Sequence, residues 1–228
     1  MSITHPSQPA TEGPTIEVRG GQQKRFDMFV QVIQGHVSDA GKVHAQLEKW
    51  MAKIGPRAEG WLGSTSGVTD DGQLVAVVRF GSEEAAQRNS GLPEQGAWWD
   101  EMAALFTDEP VFHNSTWVEV DTPGDPSQAG FVQVMQGRTS DPERARELMA
   151  SSAGWPEFRP DILGRLLVGH DIDAWTMAIY FTSEAAAREG EQKALPPDLE
   201  ELMKELDALS LGEPGFLDLR DPWFNAPG

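Results

Sequence analysis

The stretch Phe29-Val-Gln-Val-Ile-Gln-Gly-His-Val-Ser-Asp39 returns 102 residues later as Phe131-Val-Gln-Val-Met-Gln-Gly-Arg-Thr-Ser-Asp141, with eight of the eleven positions identical. Three weaker matches follow in the same order. Leu62-Gly63 pairs with Leu163-Gly164, Phe80-Gly-Ser-Glu-Glu-Ala-Ala86 with Phe181-Thr-Ser-Glu-Ala-Ala-Ala187, and Glu109-Pro-Val-Phe112 with Glu213-Pro-Gly-Phe216. Ordered matches at nearly constant offset mark an internal duplication. A unit of about a hundred residues is too long for a solenoid repeat and suits a small domain present twice.

Each copy reads as the same series of elements. The β-branched, apolar run from Phe29 to Gly35 predicts a strand. Ser38-Asp39 and Ser140-Asp-Pro-Glu143 are helix N-terminal signals. Val43, Leu47, Trp50, Met51 and Ile54 then recur at helical spacing. Two strands follow, near 61–68 and 73–80, around the turn signal Asp70-Asp-Gly72; their counterparts lie near 162–169 and 174–181. Ser82 and Ser183 cap a second helical region, broken at Ser90-Gly-Leu-Pro93 and at Leu195-Pro-Pro197. A last strand, near 111–120 and 215–220, closes each copy. The order β-α-β-β-α-β is the ferredoxin-like arrangement. Its four-stranded sheet has one face under helices and one bare apolar face, which must find a partner. A tethered second copy is at high effective concentration. The expected fold class is therefore α+β, with two ferredoxin-like βαββαβ repeats packed sheet to sheet as an intrachain, pseudo-dimeric α/β barrel. The expected division is a tail over 1–25, repeat 1 over 26–120, a Pro/Gly/Ser-rich linker over 121–129, and repeat 2 over 130–228.

Composition narrows function by exclusion. Thirty-six acidic against 18 basic side chains leave a formal charge of −18, which disfavours a nucleic-acid partner. The absence of cysteine excludes disulfides, thiolate metal sites and a cysteine nucleophile. Apolar runs such as Leu74 to Val78 are strand-sized, far below the ~20 residues of a bilayer span. No signal peptide precedes residue 25, so a cytoplasmic protein with no membrane partner is the expectation.

With order and duplication in hand, the chain resembles the dimeric α/β-barrel superfamily. Within it, the likeness is to the antibiotic-biosynthesis-monooxygenase group in tandem-fused form, over 28–120 and 130 to about 224. The opening strand with its acid-capped helix, and the Phe-x-Ser-Glu-x-Ala-Ala step at 80–86 and 181–187, carry the resemblance. It implies a cofactor-independent monooxygenase acting on, or binding, a small aromatic or apolar molecule in the barrel interior. A non-catalytic ligand-binding, structural or interaction protein of the same fold is the alternative. The haem-degrading branch resembles the same group and makes haem the alternative to having no cofactor. That branch uses a first-strand asparagine where this chain has Gln31 and Gln34, and no histidine follows Trp98 and Trp99 in their helix.

Five residues are candidates for a site. Gln31 and Gln133 hold matched strand positions; they either pair across the barrel seam or line a pocket and orient a ligand. Gln34 and Gln136 would point to the opposite face and could cap the helices. Trp98 and Trp99 point about 100° apart on a helix, as core anchors or as the wall of an aromatic-ligand pocket. His113 is the acid/base candidate for catalysis, or a satisfied strand histidine. His36, His44 and the other histidines show no usual metal-ligand spacing. Trp98, Trp99 and His113 have no counterparts in repeat 2, which places the candidate site in repeat 1. The partner expected is a small ligand, and the chain is expected to be a monomeric pseudo-dimer.

Overall fold

The computed structural model describes residues 28–150 and 154–227; the tail expected over 1–25 lies outside them. Repeat 1 runs β1 (Phe29–His36), α1 (Ala40–Lys53), β2 (Trp61–Val68), β3 (Gln73–Phe80), α2 (Glu83–Ser90), α3 (Pro93–Ala103) and β4 (Val111–Ser115). A short strand, β5 (Val118–Asp121), precedes repeat 2. Repeat 2 runs β6 (Phe131–Arg138), α4 (Pro142–Ala150), α5 (Trp155–Phe158), β7 (Ile162–His170), β8 (Ala174–Phe181), α6 (Glu184–Glu191), α7 (Pro197–Leu209) and β9 (Gly215–Leu219), and β10 (Trp223–Asn225) ends it.

The repeated residues do repeated jobs. Asp39 accepts from the Lys42 backbone N–H at 3.0 Å and Asp141 from that of Arg144 at 2.9 Å, each satisfying an open helix donor. Ser38 and Ser140, one residue earlier, instead donate their hydroxyls to the Leu105 and Leu209 carbonyls, tying helix entry to the end of the second helical region. Ser82 and Ser183 cap α2 and α6 identically, at 3.2 Å. The Leu-Gly pairs 62–63 and 163–164 sit at matching irregularities of register, where β2 and β7 bulge against β3 and β8. Gly35 and Gly137 lie under the rings of Phe106 and Trp175, where a Cβ would come within 2.7 Å.

The closing strand expected near 111–120 is split. β4 pairs with β1, whereas β5 crosses to the other sheet and pairs with β7; in return β10 pairs with β2. The sheets are thus five-stranded, in the orders β10-β2-β3-β1-β4 and β5-β7-β8-β6-β9. The chain kinks where the Ser115 hydroxyl accepts from the Trp117 N–H at 2.8 Å. Each borrowed strand covers a sheet edge that would otherwise present unpaired backbone groups.

The two sheets pack face to face. Val30, Val32, Val75 and Val77 of one meet Val132, Val134, Leu166, Val168 and Ala178 of the other, all nearly fully buried. Tyr180, the only tyrosine, donates or accepts across this seam to Thr65 at 3.0 Å, and its burial raises its pKa. Tyr180→Phe strands the Thr65 hydroxyl and is expected to cost about 1–2 kcal/mol, measured by urea denaturation; an unchanged midpoint would show that the bond contributes nothing. Among the described residues no helix is long and apolar enough to cross a membrane.

Candidate functional site

The barrel interior, expected to hold a ligand, is filled by the apolar side chains just named. Space lies instead on the other face of each sheet, under the helices. The strand alternation in β1 and β6 sets this: Val30, Val32, Val132 and Val134 point into the seam, while Gln31 and Gln133 point at the helices. The glutamines do not pair across the seam. Gln31 donates to Asn114 at 3.1 Å and Gln133 to Asp218 at 3.1 Å, each on the neighbouring strand. Gln34 and Gln136 face inward rather than capping helices; Gln136 donates to Thr176 at 2.9 Å and Gln34 accepts from Gln73 at 3.4 Å. Alternation fixes which residues share a face but not which face takes the helices.

In repeat 1 the helix-side space is about 290 Å³. Gln31, Trp98 and Trp99 meet there with Trp50, Trp61 and Phe112. Trp98 donates to the Gln46 carbonyl at 2.7 Å and Trp50 to the Gln95 side chain at 2.6 Å, so both indoles anchor helices as well as walling the cavity. No histidine among the described residues lines this cavity, and the tryptophan–histidine pattern of the haem-degrading branch is not assembled in it.

In repeat 2 the same space is about 940 Å³. The cause is a loss of bulk. Trp61 and Ile162 occupy equivalent places, opposite Phe80 and Phe181 respectively, and the smaller side chain leaves room. The helices meet each other through Leu148, Leu199 and Leu202 rather than filling the space against the sheet. The middle of the sheet therefore presents Met135, Leu167 and Met177 only half-buried, with Trp117, Trp155 and Trp175 around them.

Charged and polar side chains are numerous along this cavity, and several are held in pairs. Asp218 accepts from Gln133 and, closely, from Arg188, whose guanidinium lies 5.3 Å over the Phe131 ring. Arg146 pairs with Glu119 at 2.7 Å and stacks over Trp117, and Arg165 pairs with Asp121 at 2.8 Å. Both acids sit on the exchanged strand β5. Arg159 forms a two-point ion pair with Asp161, both about nine-tenths buried. Burial works to raise the Asp161 pKa, but the hydrogen bonds and charge of Arg159 prevail and hold it below the ordinary carboxylate value.

His113 lines neither cavity. It faces the seam from β4, where its ring stacks on that of His170 at 4.0 Å. His170 does line the larger cavity. Burial, and then the neighbouring His170, lower the His113 pKa against the pull of Asp171. The five candidates from sequence thus separate into three places: Gln31, Trp98 and Trp99 at the smaller cavity, Gln133 at the larger, and His113 at the seam. Sequence reasoning missed Arg188, Asp218, Trp117 and Trp175; the one available signal was the absence of tryptophan from the matching part of repeat 2.

No protein-family model matches the sequence, and no curated protein matches it either. Solved structures do. A candidate monooxygenase from Lactobacillus acidophilus NCFM superposes with a TM-score of 0.67 at 14% identity, covering 89% of this chain and 97% of its own. A candidate monooxygenase from Fusobacterium nucleatum gives 0.64 at 9% identity, over 88% and 95%. An anthrone oxidase-like protein gives 0.59 at 11% identity, over 88% and 91%. At these identities the likeness establishes the fold alone: two ferredoxin-like repeats fused in tandem as an α/β barrel.

Proposed function

We propose that the protein binds a flat, mainly apolar small molecule between the second sheet and its helices, and oxidises it with molecular oxygen without a cofactor. The observation that carries this reading is the cavity of about 940 Å³, with aromatic and methionine side chains over the sheet and charged groups, five of them arginines, around them. The apolar patch of Met135, Leu167 and Met177 suits a flat apolar ligand, and the Arg188, Arg146 and Arg165 guanidiniums favour an anionic form of a ligand with an enolisable carbonyl. Such an anion passes electrons to oxygen directly. For an anthrone the ring CH₂ becomes a carbonyl, one oxygen atom entering the product and the other leaving as water with the two hydrogens.

The second reading is a binder without turnover. It is favoured by the position of His113 outside both cavities and by the pairing of these arginines with carboxylates. Anthrone serves as the probe for both. Wild type is expected to bind it and to consume one oxygen per anthrone. The cross-strand neighbours Leu167 and Met177 both face the cavity, so Leu167→Trp with Met177→Trp fills it. That double variant is expected to stay folded and to lose at least about tenfold in affinity. Binding without oxygen uptake leaves the binder reading alone, and equal binding by the filled variant removes the cavity from both.

A further inference from the structure

We propose that His113, His170 and Asp171 form a site for one divalent transition-metal ion, zinc or cobalt being the natural occupants, that joins the two repeats at the open end of the seam. His170 and Asp171 also border the larger cavity, but the metal test needs no ligand in it. His113 comes from β4 of the first sheet, His170 from the end of β7 in the second, and Asp171 from the turn that follows. One donor atom from each lies within 4.8 Å of the others. Both imidazoles turn Nδ1 toward the same carboxylate oxygen: His170 Nδ1 is 3.1 Å and His113 Nδ1 3.8 Å from Asp171 Oδ2. Donors around a tetrahedral ion with bonds of about 2.0–2.1 Å stand about 3.3 Å apart, so the observed separations bracket those of a loaded site.

The shell behind these donors suits a metal. The His170 side chain is only 6% exposed. Its Nε2 lies 3.0 Å from Thr176 Oγ1, which also accepts from Gln136 at 2.9 Å. A hydroxyl oxygen has two lone pairs and can accept both N–H groups. With Nδ1 given to an ion, Nε2–H would donate to Thr176 Oγ1, the arrangement that outer hydrogen bonds impose on metal-binding histidines. Among the described residues no hydrogen bond restrains the His113 ring, so it can turn out of its stack to aim Nδ1 at the ion. Asp171 is the only described non-glycine residue at positive φ, 53°, and that turn conformation carries its carboxylate back under both rings. Two imidazoles and one carboxylate select zinc, cobalt, nickel or copper over magnesium and calcium. Three protein ligands leave a position for water.

The test uses the full chain, free of any affinity tag, stripped with a chelator and titrated with Co²⁺ and Zn²⁺ in the presence of excess Mg²⁺. One equivalent is expected to bind, with the visible absorption of four-coordinate cobalt and a raised Tm. His113→Gln and Asp171→Asn alter partly exposed and exposed side chains and are expected to remain folded, weakening binding at least about tenfold. His170→Gln, if its far-ultraviolet spectrum is native, is expected to abolish it. Binding below stoichiometry in wild type overturns the proposal. So does affinity unchanged in His113→Gln and Asp171→Asn, which would assign the metal to the acidic surface.

Discussion

A chain carrying only residues 28–121 is expected to be unfolded or self-associated, and never a folded monomer. Cutting there strips the cover from Val30, Val32, Val75 and Val77, each at most 2% exposed in the whole chain. A buried valine is worth about 1.5–3 kcal/mol, and four of them rival the whole stability of a domain, about 5–15 kcal/mol. The cut also removes β10 from the edge of β2 and leaves β5 with nothing to pair. Sedimentation velocity with circular dichroism reads the outcome. A compact monomer with native helix content would mean that the shared seam is an optional contact between independent domains.

Arg159→Met is the most damaging single substitution expected. The guanidinium makes two bonds to Asp161 and a third to the Ala187 carbonyl, and it lies 5.4 Å over the Phe181 ring. It also packs so closely on Gly190 that a Cβ there would meet Nε at 2.2 Å. Methionine keeps much of the volume and removes the charge, leaving the Asp161 carboxylate buried without a cation. Removing one partner of a buried pair costs about 3–5 kcal/mol, and the variant is expected to show that loss in urea at pH 7. The sign of the pH effect follows from the lowered Asp161 pKa. Its contribution is fully present above the unfolded value near 3.8 and is lost as pH falls through the lower folded value. In Arg159→Met the carboxyl gains stability on protonation, so the gap to wild type narrows in acid. A gap that is constant with pH would show that packing, and not the ion pair, carries the effect.

The duplicated strand made the fold legible. Matched aspartates and serines foretold matched caps, because a cap depends on neighbours in sequence, whereas the matched Leu-Gly pairs marked the repeat without announcing the bulges found there. The exchange of β5 and β10 was not legible, since four- and three-residue strands paired with the other repeat leave no periodic signal of their own. The site was half legible. Gln31, Trp98 and Trp99 do share a cavity, but the tryptophans that drew attention to repeat 1 are the reason its cavity is small. The larger cavity arises from what repeat 2 lacks, as at Ile162, and missing bulk has no motif. His113 and His170, 57 residues apart, meet only because the two sheets stack.

The most direct test of the proposed ligand site is a crystal structure of the full chain with 9,10-anthraquinone, the stable product of anthrone oxidation. One molecule is expected between the second sheet and its helices, its plane against Leu167 and Met177 and its oxygens toward Gln133 and Arg188. An empty cavity with the quinone bound elsewhere on the protein, or no binding at all, would contradict it.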